Sequence, residues 1–529
     1  MVHGNAGRGV VLTGRSRCVT GRYHAVMSLS HPLARPIRAV VGVALLLILG
    51  ACAVPARAPV EPAAVAECRR WLARLDGHVD AQAVRDGGAA PVPSFRFLRV
   101  DRLLSSFRDE ARHSDARWRD WGAGQLALDA QARALEIDHL PPWVMASLAV
   151  PDPAAAKARV RDCGARLWAA TSADATQRER LQATARVPDD YSALMRTLGL
   201  YPLSRLPFFG GVEREQRHWQ ARWAALSAVP DPMPGWVRYQ NTASPLGAAE
   251  VGALVRGVPR DALGIPQPDE ATAQRLLQAF APALEIDTRG AFDRPGTLHW
   301  AAGPAPEVNT REPVVYQRIA HTRHGDQTLM QLVYSVWFSE RPARSGLDLL
   351  AGRIDAVVLR LTLSGDGRVL MLDSIHGCGC YHLFVPTPSM ALKPPPEARV
   401  EWAFVPATLP AMAAGQRLRV RLSSADHQVV GAQPDGGGSV RVDAVPYTLT
   451  DEDGLRSLPT PDGGRRSAFW SHGIMPGTER GERALFWPMG IASPGAMRQW
   501  GRHPTAFVGR RHFDDARLLE QRFELLDKP

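Results

Sequence analysis

The chain has 529 residues, 45% of them hydrophobic and 22% charged, enough apolar surface for a large core and more than one structural region. Its formal charge is +10, yet residues 1–51 hold six arginines and no acid, which leaves a body near +4. So mild a charge gives no argument for a nucleic-acid partner, and none is expected. Lysine occurs only at Lys157, Lys393 and Lys528, so arginine carries almost all of the positive charge.

The first feature along the chain is an uncharged apolar run at residues 39–51, preceded by Arg35 and Arg38. At about 1.5 Å per helical residue it spans roughly 20 Å, short of the ~30 Å hydrocarbon core, which suits a processed leader better than a membrane span. It ends in Leu49-Gly50-Ala51-Cys52. This resembles the lipobox of bacterial lipoproteins, in which an aliphatic residue and two small ones precede the cysteine that takes lipid and becomes N-terminal. The resemblance implies residues 1–51 as leader and signal peptide, with Met27 a more compact start, and lipid on Cys52 as the membrane anchor, palmitate included. In that family Ala53, rather than Asp, after the cysteine implies onward export to the outer membrane, with the body facing the periplasm.

Residues 52–65 are rich in Pro and Ala and read as an extended tether. From 66 to 228 the apolar period is helical. Val65, Cys68, Leu72 and Leu75 share one helix face, and Val160, Cys163 and Leu167 repeat the start of that spacing. Further helices are expected at 115–135, at 189–198 with Asp189 as N-cap, and at 212–226, with a boundary in Pro230-Asp-Pro-Met-Pro234. In an oxidising compartment Cys68, Cys163, Cys378 and Cys380 read first as disulfides, and the matching helix faces favour Cys68 with Cys163.

The region 236–529 opens with two helices, at 248–255 and 270–284, and then changes to a period of two. Residues 314–324 and 327–338 flank Gly325-Asp326, and 356–363 and 368–375 flank Ser364-Gly-Asp-Gly367; both pairs are predicted β-hairpins. Strands are also expected at 399–406, 416–422 and 439–445. The fold class is therefore α+β, a helical N-terminal region followed by an antiparallel β-rich C-terminal region.

Reactive side chains are densest in Asp373-Ser-Ile-His376-Gly-Cys378-Gly-Cys380-Tyr-His382. In a flat strand His376, Cys378, Cys380 and His382 would share a face but span about 20 Å, so one metal centre, zinc or copper, requires the chain to curl at Gly377 and Gly379. A structural Cys378–Cys380 disulfide leads that reading, and a labile redox pair is the third. Because Gly, Cys and His contribute little to strand packing, the segment is expected to form the rim of a functional site at the end of a well-patterned strand. Asp373 or Tyr381 would then orient a histidine or supply a proton.

His321, Arg323, His324 and Asp326 form a second cluster, but His321 and His324 have opposite parity in a strand and do not form a metal pair by themselves. Arg323-His324-Gly325 with His376-Gly377 resembles the paired motifs of the histidine phosphatases, which end parallel strands. Here an antiparallel hairpin lies between them, a departure from that pattern. Arginines interleave with aromatics from Phe486 to Phe513, a pattern of core edges covered by guanidinium stems, with an envelope glycan as the natural alternative ligand. No complete catalytic constellation is present, so the expected function is binding of an envelope ligand or protein partner, with a metal-dependent or thiol-redox enzyme as the alternative.

Overall fold

The computed structural model describes residues 61–227, 233–436 and 443–526. Cys52, its leader and most of the tether lie outside the described residues.

The helical region opens with α1 (Ala63–Ala81), which buries Val65, Cys68, Trp71, Leu72, Leu75 and Val79 along one stripe. A hairpin the sequence pattern did not announce follows, β1 (Ala90–Val92) and β2 (Phe95–Val100). Next come α2 (Asp115–His139), capped by the Ser114 hydroxyl on the Arg117 amide, α3 (Pro153–Ala173), capped by Asp152, and α4 (Ala175–Thr184). Cys68 and Cys163 are disulfide-bonded and join α1 to α3 with a Cα–Cα distance of 5.2 Å. Arg99 on β2 lies buried against α2, 2.5 Å from Glu136, and Arg133 bridges Asp129 and Asp76 at 2.8 and 3.0 Å. This buried ionic stripe interrupts the apolar face of α2.

The short helix Ala193–Leu198 starts later than the pattern predicts. Its cap is Ser192, whose hydroxyl accepts from the Met195 amide, because Tyr191 bridges to Ile491 and Asp189 turns toward the Tyr191 amide. The long α5 (Tyr201–Ser227) follows.

A ten-stranded sheet forms the rest of the core. Its strands are β3 (Trp236–Asn241), β4 (Ala283–Asp287), β5 (Val314–His324), β6 (Gln327–Arg341), β7 (Gly352–Leu363), β8 (Val369–His376), β9 (Leu383–Pro386), β10 (Leu418–Leu422), β11 (Val429–Pro434) and β12 (Val445–Asp451). The spatial order is β9-β8-β7-β6-β5-β12-β3-β4-β10-β11. The two predicted hairpins are present, and β5 to β9 run as one antiparallel meander. The sheet is nevertheless mixed, because β12 inserts parallel to both β5 and β3, and β10 pairs parallel with β4.

Helices α6 (Ala248–Gly257) and α7 (Glu270–Ala279) are also present. The predicted helix at 270–284 is shorter because Pro282 precedes the edge of β4. Residues 399–406 form a bridge at Phe404 rather than a strand, and the predicted strand at 439–445 falls largely outside the described residues. Leu332, Tyr334, Val336 and Phe338 of β6 face a core shared with α5, α6 and α7, whereas Val333 packs with Ile375 and Phe513 on the other face. Covered on both faces, these strands read as continuous apolar runs. Residues Pro62–Pro529 form one compact unit.

Candidate functional site

The segment His376–His382 is the loop between β8 and β9, not an extended strand. Gly379 takes φ +90° and Tyr381 φ +57°. The His376 amide donates to the Cys380 carbonyl at 2.9 Å and the Gly379 amide to the His376 carbonyl at 2.7 Å. A Cβ at Gly379 would lie 2.4 Å from the Pro504 carbonyl oxygen, so both the turn and the neighbouring chain require glycine there. A non-glycine residue in the left-handed region stores backbone strain, and Tyr381 is held there by packing on His376, ring centroids 4.8 Å apart, and on Trp219 at 5.8 Å.

Because the chain reverses, the strict alternation of the four residues is lost. His376 sits with Asp355, 3.9 Å from its Nδ1, whereas Asp373, of opposite parity on β8, holds His382 at 3.2 Å. The two imidazoles therefore belong to different faces of the sheet. Burial drives His376 down to about 4, against the pull of Asp355, and His382 to about 3, against its Asp373 bond. Asp373 is itself clamped by Arg360 at 3.0 and 2.5 Å.

Cys378 and Cys380 are not disulfide-bonded; the Cys380 amide donates to the Cys378 sulfur at 3.3 Å. Hydrogen bonding to Cys378 and then burial hold the Cys380 thiol well above its ordinary range, away from the reactive thiolate. Among the described residues no group of three or more His, Cys, Asp or Glu side chains is arranged to hold a metal ion.

The second cluster lies far from the first. Register places His376 level with Val315, so His321 and His324 on β5 are three strands away, roughly 14 Å, and about 20 and 30 Å further along. His324 contacts the Phe523 carbonyl at 3.2 Å, and Arg323 reaches Ser106 and Glu110. The two motifs that resemble histidine phosphatases thus lie at opposite ends of the meander's strands, three strands apart. His321 lines a separate polar cleft of about 140 Å³ between the β1–β2 hairpin and the sheet, where burial pushes it down to about 4 and Asp101 up to about 6. Much of the charge in this cleft is paired, Arg102 with Asp514 at 3.2 Å and Arg318 with Asp453 at 3.4 Å.

What the loop does line is a cavity of about 250 Å³ under α5. One wall is an aromatic trio, Phe208, Phe486 and Phe507, with centroids 4.9–6.5 Å apart. Tyr381 also lines the cavity, with Trp219, whose indole donates to the Val429 carbonyl at 2.8 Å. Helix α5 is pinned over the cavity by Arg222, 2.9 Å from Asp426.

Three carboxyl groups, of Glu215, Glu401 and Glu482, also line it. Glu401 accepts from the Phe507 and Val508 amides at 2.8 and 3.3 Å and from Arg511 at 3.2 Å, and burial raises it. Burial pushes Glu482 up to about 7, against Arg480 and Arg341. Its carboxylate lies against Gly495, where a Cβ would come within 2.0 Å of Oε1.

Phe486 and Phe507 belong to the arginine-aromatic stretch evident in the sequence. Glu401, Glu482 and Phe208 are isolated in sequence, and only the fold brings them together. No protein-family model matches the chain, and neither a curated protein nor a solved structure shows significant similarity to it.

Proposed function

We propose that the protein is a membrane-anchored envelope lipoprotein, carried by lipid on Cys52 and facing the periplasm from the outer membrane, whose body binds a ligand with an apolar part and an ammonium group. The lipobox resemblance at 49–52 supports the anchor. The cavity supports the ligand class: five aromatic rings and three glutamates line one space. Aromatic faces attract cations through their quadrupole, Glu215 and Glu482 supply the counter-charge while Glu401 stays paired with Arg511, and an apolar wall takes the remainder of the molecule. Glu482 is the key group. At about pH 7 it sits near its midpoint, and a bound cation favours its ionised form, so binding expels a proton.

Two measurements test this. The intact mass of protein purified from membranes should correspond to a chain starting at Cys52 with covalent lipid; an unlipidated chain with a different start overturns the anchor. Organic extracts of the wild type should contain an amine-bearing amphiphile that is missing from Val212→Trp, which fills the cavity. Identical extracts from the two proteins, or an acidic amphiphile instead, contradict the ligand assignment.

A further inference from the structure

Large apolar side chains exposed to solvent are concentrated on one part of the surface. Leu194, Leu198, Leu200, Leu203 and Leu206, between 43% and 68% exposed, fall within a thirteen-residue stretch that includes the helix Ala193–Leu198 and the first turns of α5. Leu485 and Trp487 join them, because residues 487–489 pack on that short helix and a Cβ at Gly199 would lie 2.5 Å from Pro488. The ridge runs into the aromatic wall of the cavity, since Phe208 and Phe486 touch at 5.4 Å.

An exposed apolar patch of this kind marks a contact surface. Its charge identifies the partner. Between Asp190 and Glu213 the sequence contains Arg196 and Arg205 and no acid; Arg196 is held by the Met489 and Gly509 carbonyls, which leaves Arg205, with Arg483 at the edge, as the outward cations. Leucines with a tryptophan, interspersed with Arg205 and Arg483 and with no acid inside the ridge, match the chemistry of an anionic lipid surface: apolar side chains enter the acyl boundary and guanidinium groups meet phosphate. The described residues include no helix long and apolar enough to cross a membrane, so the contact is interfacial.

Distance is also compatible. Ten residues lie between Cys52 and Ala63, eleven Cα steps that reach roughly 36 Å when extended.

We propose that this leucine ridge docks on the anionic surface of a phospholipid bilayer, which places the mouth of the aromatic cavity at the membrane, where an amphiphilic ligand resides. The inference deepens the ligand reading, but the docking itself depends neither on lipid at Cys52 nor on an occupied cavity.

The test uses the chain from Ala53 onward, which lacks the lipid site and retains the whole compact unit Pro62–Pro529. Flotation with vesicles of phosphatidylglycerol and phosphatidylethanolamine is compared with flotation on phosphatidylcholine. The expected result is co-flotation with the anionic vesicles, weakened about tenfold or more by Leu198→Glu with Leu203→Glu, two exposed positions where circular dichroism should report an unchanged fold. No flotation of the parent chain overturns the proposal, as does equal flotation of the double variant. A parent that sediments as a dimer, turns monomeric in the double variant and ignores vesicles would reassign the ridge to an interface between copies. Failure here leaves the intact-mass result for Cys52 and the extraction result for the cavity standing.

Discussion

Replacing Glu482 with glutamine isolates one ionisation in the cavity. The carboxyl moves from an ordinary 4.5 in the unfolded chain to about 7 in the folded one, because burial penalises its charge more than Arg480 and Arg341 favour it. At 1.36 kcal/mol per pKa unit, the folded state disfavours the ionised carboxylate by about 3 kcal/mol. The folded pKa is raised, so the folded state binds more protons across this window. The contribution is fully present below pH 4.5 and is lost as pH rises through 7. Glu482→Gln has no such ionisation. The variant should therefore gain about 3 kcal/mol relative to wild type between pH 4 and pH 8.5, measured as the difference between paired urea unfolding curves, in which all other titrations cancel. A difference that stays flat across that range refutes the assignment of a buried, largely uncompensated carboxyl to the cavity lining.

The affinity for an ammonium ligand should rise with pH through about 7 in wild type and become nearly pH-independent in Glu482→Gln, as read by calorimetric titration at several pH values. Removing the Cys68–Cys163 bridge with a pair of alanines opens a 95-residue separation and should cost about 4–5 kcal/mol in the chain-entropy treatment, seen as a lower denaturation midpoint. Arg360→Met strands Asp373 at full burial and should destabilise by roughly 3–5 kcal/mol, whereas adding Asp373→Leu should recover most of the loss in thermal unfolding. Acid should destabilise as well. His321, His376 and His503 are held at about 4 and His382 at about 3, so stability present above 6.5 is lost as pH falls toward 4, with proton uptake on unfolding measurable by pH-stat titration.

The sequence revealed those features that depend on local periodicity. The hairpins at Gly325-Asp326 and Ser364–Gly367 were legible because their strands alternate cleanly or run continuously apolar up to a turn signal. The Cys68–Cys163 pair was legible because both cysteines sit on the buried stripe of a helix. The parallel insertion of β12 between β5 and β3 was not, because it depends on which edges of the sheet meet over long sequence separations. At the site, the composition of His376–His382 and the turn its glycines allow were legible, but the partners its two histidines take were not. Alternation assumes a flat strand, and the left-handed Gly379 and Tyr381 turn the chain back, sending His376 toward Asp355 and His382 toward Asp373. The glutamates carry no periodic signal; Glu401 and Glu482 meet the loop only because the C-terminal segment folds over the sheet.

The most direct test of the ligand reading is a paired titration of the chain from Ala53 onward with dodecylammonium and with dodecanoate below their micelle concentrations. The two share an apolar tail and differ in head-group charge. Preference for the ammonium by at least about tenfold, abolished in Val212→Trp, is the predicted result. Equal binding of both, a preference for dodecanoate, or binding untouched by Val212→Trp would contradict a cation-selective cavity between α5 and the β8–β9 loop.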